Sequence, residues 1–160
     1  SYSVTGVQTC ALPILPLGNG TFVLGAYYAL TDLHRLGLVA RYPKIVAVQA
    51  AGCAPVYAAF RSGSPVVAPV ANSGTDAEGI AIAAPMRGAQ VLAALRELGA
   101  EVVTAPESGI APAKKAVAAR GFYVEATSAA TFAAYFERRA AGVDEGLVVL
   151  PLCGAGLKSA

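Results

Sequence analysis

LPLGNGTFVLG, residues 15–25, decides how this chain is read. Leu15, Pro16 and Leu17 form a short apolar run, Gly18, Asn19 and Gly20 turn it, and an apolar-rich stretch with helical spacing starts at Phe22. A strand, a glycine turn and a helix in that order leave free backbone N–H groups at the positive end of a helix dipole, which binds phosphate well. Taken alone the signal is weak, because glycines at a strand–helix turn also serve tight-turn geometry. The stretch is not G-x-G-x-x-G, and it lacks the Lys-Ser/Thr pair of a P-loop.

To the right of the turn, the spacing predicts a helix over 22–36, stopped by Gly37. KIVAVQA, 44–50, is a continuous apolar run of strand length, the pattern of a strand buried on both faces. After CAP a helix is predicted over 55–60, with Pro55 at a favourable first-turn position, and the Ser, Pro, Gly and Val-rich stretch 61–74 reads as loop. A helix over 88–98 leads through Gly99 to the strand EVVTA, and another over 110–119 leads through Gly121 to a short strand FYVEA, 122–126. Thr127 or Ser128 is expected to cap a helix reaching Ala140, and GLVVLPL, 146–152, reads as a last buried strand. Strands separated by helices of this length predict an α/β fold, a parallel sheet with helices on both faces.

To the left of the turn, SYSVTGVQTCALPI, 1–14, has neither helical nor strand periodicity. Back-translated in one frame, VTGVQTCALPI resembles the reverse complement of a common short-read sequencing library adapter. Residues 1–14 are therefore read as a non-native, adapter-derived segment, which removes Cys10 from chemical argument and leaves 15–160 as a truncated C-terminal domain. The alternative is a native, irregular N-terminal strand ending in ALPIL.

Composition narrows the class of protein. A chain of 160 residues that is 56% hydrophobic and 14% charged is core-rich and of single-domain size. Its net charge of +2 names no nucleic acid or membrane surface as partner. The three cysteines, Cys10, Cys53 and Cys153, are far apart with only His34 to help, which argues against a metal site and for a reducing compartment. No apolar run reaches the roughly 18 to 20 residues of a bilayer span, and no basic segment precedes the first apolar stretch, so a cytoplasmic protein is expected.

A second glycine turn, LPLCGAGLKS, 150–159, comes after the last predicted strand as the first turn comes after its own. Two such turns then lie at the carboxyl edge of one sheet, where open α/β sheets bind ligands.

Five stretches now stand in order: LPLGNGTFVLG, KIVAVQAAGCAP, GTDAEGIAIAAPMRG, ARGFYVEATSAAT and LPLCGAGLKS. Together they resemble the fold-type-II pyridoxal-phosphate enzymes, the tryptophan-synthase-beta superfamily, and within it most the threonine synthases, whose sequences carry a similar TGxGLK. The first turn is similar to the superfamily's PxGGGGL-type phosphate loop. The resemblance implies pyridoxal 5'-phosphate as cofactor, its phosphate held by backbone N–H groups at Gly18, Asn19, Gly20 and Thr21. It places Cys153 where family members use Ser or Thr, and some serine-dehydrating relatives use Cys, against the pyridine nitrogen. A thiol cannot hold that nitrogen protonated as a carboxylate can, and S–H is a weaker donor than O–H. The resulting weaker electron sink suits β- and γ-elimination and replacement.

The reaction implied is conversion of O-phospho-L-homoserine and water to L-threonine and phosphate, a step of amino-acid biosynthesis, by an enzyme that is a homodimer when full length. The alternatives are a threonine or serine dehydratase of the same superfamily and a non-catalytic α/β domain holding a phosphorylated metabolite. The sequence departs from the family at Ala126, where proline is usual, and at 50–52, where a carboxylate precedes the cysteine. The family's Schiff-base lysine lies in a motif resembling SxKxR, and Lys44, Lys114, Lys115 and Lys158 all stand in other contexts. No catalytic residue is therefore nominated, and the chain by itself is expected to be inactive.

Other residues have plainer readings. His34 is expected at a helix end, Cys53 as a small buried hydrophobe, and Lys158 in solvent. Glu78 either stands near the site or starts a helix, and Glu125 either lines the site or caps the helix after it.

Overall fold

The computed structural model of the chain describes residues 11–143 and 146–158. Cys10 and the rest of 1–10 lie outside the described residues, as does the side chain of Lys158. The elements run β1 Leu12–Pro16, α1 Thr21–Arg35, β2 Val46–Ala50, α2 Pro55–Arg61, a 3-10 turn Glu78–Ile80, α3 Gly88–Glu97, β3 Glu101–Ala105, α4 Glu107–Ala118, α5 Ala126–Ala140, β4 Val148–Val149 and a second 3-10 turn Gly156–Lys158. The strands form one parallel sheet in the order β3-β2-β1-β4. This is the α/β architecture that the alternation of apolar runs and helical patterns predicts.

Both faces of the sheet are covered, and alternation along β2 shows how. Val46, Val48 and Ala50 pack with Ile110, Val117 and Ala130 of α4 and α5. Ala47 points the other way and packs with Leu24, Val56 and Leu92 of α1, α2 and α3. A strand buried on both faces has no use for polar alternation, so its sequence is a continuous apolar run. Gln49 is the exception: it is fully buried, and its side-chain oxygen accepts the Tyr57 N–H at 2.9 Å at the start of α2.

Local signals set the element ends. Pro55 occupies the first turn of α2, where its missing N–H costs no helical bond. α3 ends because Gly99, at φ +59, turns left-handed and lets Ala100 donate to the Leu95 carbonyl at 2.9 Å. Ala100 then enters β3 directly.

Four predicted details are corrected. α4 begins at Glu107, three residues before the predicted start, and holds Pro112 within it. Pro112 is exposed; it removes one helical N–H bond and crowds the carbonyl four residues before it, a cost the helix bears within its length. FYVEA is not a strand: Val124 makes a single antiparallel bridge to Ala155, because its neighbour is a turn and not another strand. The last strand is two residues long and lies at the sheet edge, with Val149 exposed. Its partner in β1 is Leu12-Pro13, and proline has no N–H with which to extend a ladder. Neither Thr127 nor Ser128 caps α5, which starts at Ala126 with Glu125 in the capping position and no side-chain cap bond.

β1 itself begins at Leu12, so Leu12, Pro13 and Ile14, which fall within the segment 1–14 set apart in the sequence reading, stand in the sheet. Ile14 is completely buried.

Candidate cofactor site

The first glycine turn leaves β1 under tight constraint. Leu17 donates its N–H to the Val48 carbonyl at 2.8 Å, which carries the β1–β2 pairing past the end of the strand. A Cβ on Gly18 would lie 3.0 Å from the Gly79 carbonyl oxygen and 3.1 Å from Ile80 Cα, so the turn passes against backbone where no side chain fits. Gly20 is left-handed, at φ +88, and a Cβ there would overlap the Val91 side chain. Asn19 fastens the turn by accepting the Met86 N–H on its side-chain oxygen at 3.1 Å. Thr21 then opens α1, whose first-turn N–H groups have no acceptor within the helix.

The second turn is held from the other side. Cys153 donates its N–H to the Ser128 hydroxyl at 3.1 Å, and Glu125 donates its N–H to the Gly154 carbonyl at 2.9 Å. Gly156 donates to the Tyr123 carbonyl at 3.1 Å. The Cys153 thiol points its proton toward the Pro151 carbonyl at 3.8 Å. Burial pushes this thiol above its usual range, the Glu125 carboxylate adds to the effect, and the Ser128 hydroxyl opposes it. The thiol is therefore a neutral S–H at neutral pH.

The two turns, near opposite ends of the chain, meet at one cleft of about 870 Å³ beside the end of β1. Gly18, Asn19, Gly20, Thr21 and Cys153, the five residues nominated from sequence, all line it. Gly79, Ile80 and Thr127 line it as well, and sequence reasoning assigned none of them there. Gly79 carries a readable signal in AEGIA, since a Cβ on it would stand 2.5 Å from the Thr127 hydroxyl. Thr127 carries none, because its position before a helix reads first as a cap. Among the described residues, none that lines the cleft is charged.

The remaining candidates fall outside the cleft lining. Glu78 is exposed on the 3-10 turn. Glu125 stands behind the second turn, its carboxylate so close to Gly154 that a Cβ there would overlap it. Cys53 is buried, with its thiol pushed up by burial. His34 sits in the last turn of α1, 3.1 Å from the Val39 carbonyl and against the Tyr42 ring. Among the described residues no group of His, Cys, Asp and Glu is arranged to hold a metal, and no helix is long and apolar enough to cross a membrane.

The sequence profile of the pyridoxal-phosphate dependent enzymes matches residues 11–154. The chain belongs to that family. The threonine synthase of Methanosarcina acetivorans is 33% identical over 121 residues, covering 75% of this chain and 30% of that protein. That of Methanocaldococcus jannaschii is 28% identical over 149 residues, covering 91% of this chain and 36% of that protein. The chain thus spans about a third of the length of the curated relatives it matches. Among solved structures, the serine racemase of Dictyostelium discoideum superimposes with a TM-score of 0.70 at 21% identity, over 93% of this chain and 45% of that one. The threonine deaminase isoform 2 of Solanum lycopersicum, in its processed form, superimposes with a TM-score of 0.66 at 20% identity, over 93% of this chain and 39% of that one. At these identities the likeness establishes the fold, that of a fold-type-II enzyme.

The cofactor of this pyridoxal-phosphate family is a phosphate ester on a flat aromatic ring, and the cleft suits both parts. A turn that excludes a Cβ at 18 and 20 brings bare backbone and a helix N-terminus to an anion. Pro16, Ile80 and Leu152 supply apolar wall for a ring, and the volume lies within the range of small-molecule sites.

Proposed function

We propose that the chain forms the cofactor-phosphate side of a threonine synthase, which converts O-phospho-L-homoserine and water to L-threonine and phosphate. The observation that carries this reading is the meeting of the Gly18–Thr21 turn and Cys153 at one cleft, although they are read from opposite ends of the sequence. The synthase assignment, as against another family reaction, is supported by the names of the curated relatives.

When bound, pyridoxal phosphate supplies the electron sink that labilises protons next to the substrate's amino-bearing carbon. The residues of this chain hold and orient. Gly18, Asn19, Gly20 and Thr21 would bind the phosphate through backbone N–H groups, helped by the α1 dipole. Cys153 would face the ring nitrogen as a neutral donor, since burial and Glu125 keep its proton in place. A neutral thiol leaves that nitrogen largely unprotonated, which favours elimination and replacement at the substrate side chain. The substrate, an amino acid, and a homodimeric assembly belong to the same proposal.

A threonine or serine dehydratase is the second reading, favoured by the likeness to threonine deaminase in fold and by cysteine at position 153. The complete protein encoded by the gene should be given O-phosphohomoserine and L-threonine separately. Phosphate release without ammonia supports the synthase, and ammonia from threonine overturns it.

A further inference from the structure

Ser128 is a fully buried hydroxyl that caps nothing. Sequence preference puts Ser at a helix N-cap, yet here it lies within the first turn of α5, and its oxygen accepts the Cys153 N–H at 3.1 Å. Its own backbone carbonyl is occupied by the Thr131 hydroxyl at 2.7 Å, so the α5 turn that presents it is itself fastened. The turn carrying Cys153 is laid along residues 123–125 by two more bonds, Glu125 N–H to the Gly154 carbonyl at 2.9 Å and Gly156 N–H to the Tyr123 carbonyl at 3.1 Å. Cys153 is therefore pinned from behind, with its thiol left on the cleft wall.

We infer that Ser128 is the positioning residue for Cys153: its hydroxyl fixes the backbone of the second glycine turn and orients the thiol toward the cofactor ring. This deepens the reading of the cleft as the pyridoxal-phosphate site and rests on it for the identity of the ring. A hydroxyl that accepts from the Cys153 N–H keeps its own proton free for Sγ, and the Ser128 hydroxyl does act to lower the thiol's pKa. The charged group acting on the same thiol is Glu125, from the residue before α5, and it acts in the opposite sense. The residues lining the cleft from β1, α1 and the 3-10 turn are uncharged.

The test needs no turnover. In the 160-residue chain carrying Cys10→Ser, the rate of Cys153 alkylation is measured against pH; Cys53, being buried, reacts slowly. Ser128→Ala is expected to move the profile up by about 0.5 to 1 pH unit, the equivalent of one hydrogen bond to the charged form. Alkylation at neutral pH then slows by about three- to tenfold. Ser128→Thr, which keeps the hydroxyl, should retain the original profile, whereas a general loosening of the turn would not be rescued in this way. If Ser128→Ala does not fold, amide hydrogen exchange of the unsubstituted chain takes its place. The Cys153 N–H, held by the Ser128 hydroxyl, should then exchange at least about tenfold more slowly than an unstructured amide. An unchanged profile in a folded Ser128→Ala, or a Cys153 amide that exchanges as an unstructured one does, overturns the inference. Titration of the unsubstituted chain with pyridoxine 5'-phosphate, which has no aldehyde to react with lysines, separates the two claims. Failure to bind removes the cofactor reading, whereas the Ser128 claim falls by the alkylation profile.

Discussion

Gly20 lies directly against Val91: the turn that ends β1 and the buried face of α3 approach so closely that a Cβ at position 20 would overlap the valine side chain. The shape of the candidate phosphate seat is thereby tied to the core. Gly20→Ala should cost about 1 to 2 kcal/mol for a side chain in the left-handed region, plus about 1 to 3 kcal/mol for overpacking against Val91. Urea denaturation of the two chains measures the sum. Adding Val91→Ala opens the space, so the double variant should lose clearly less than the two single losses added together. Strict additivity would show that the contact does not exist.

Glu101 anchors the other edge of the sheet to α5. It accepts from Arg138 at 2.6 Å and pairs with Lys44 at 3.3 Å, and the hydrogen bond from Arg138 is the main reason its pKa is lowered. A carboxylate held low in the folded state contributes stability above its unfolded pKa, near 4.3, and loses it as pH falls through the lower folded value. Because Glu101 is partly exposed, solvent screening limits the cost of Glu101→Gln to about 0.5 to 1 kcal/mol at neutral pH. The difference between the two chains should close as denaturation is repeated below about pH 4. A difference independent of pH would assign the loss to packing.

The β4 edge exposes apolar surface where the sheet stops. Leu147 and Val149 are 53% and 48% exposed and line a groove of about 440 Å³ with Leu15, Ala26 and Leu30. Unpaired edges of this kind template association. The chain is expected to self-associate with rising concentration, and Val149→Lys to reduce that association without changing the far-ultraviolet circular dichroism. Light scattering that finds the unsubstituted chain monomeric at all concentrations would contradict this.

Legibility in the sequence tracks the strength of the local signal. KIVAVQA is unambiguous because a strand buried on both faces needs apolar side chains at every position, and β2 lies where the run predicts, apart from two residues at its start. The two glycine turns are legible because close backbone approach demands glycine, at Gly18 against Gly79 and at Gly156 against the Val124 carbonyl. FYVEA and GLVVLPL mislead because strand composition does not reveal a missing partner: one meets a turn, and the other meets a proline-bearing edge. Thr127 and Ser128 read as caps because a hydroxyl before a helix has a local explanation. The real partners, the cleft for Thr127 and the Cys153 N–H for Ser128, are distant in sequence.

The central claim is that the cleft takes the phosphate of pyridoxal phosphate at the Gly18–Thr21 turn. Titration calorimetry with pyridoxine 5'-phosphate and with pyridoxine tests it most directly. The account predicts saturable one-to-one binding of the phosphate ester, at least about tenfold weaker binding of pyridoxine, and a comparable loss in Gly18→Ala, where a methyl group would press on the Gly79 carbonyl. Equal affinity for the two ligands, or no saturable binding of the phosphate ester, would contradict it.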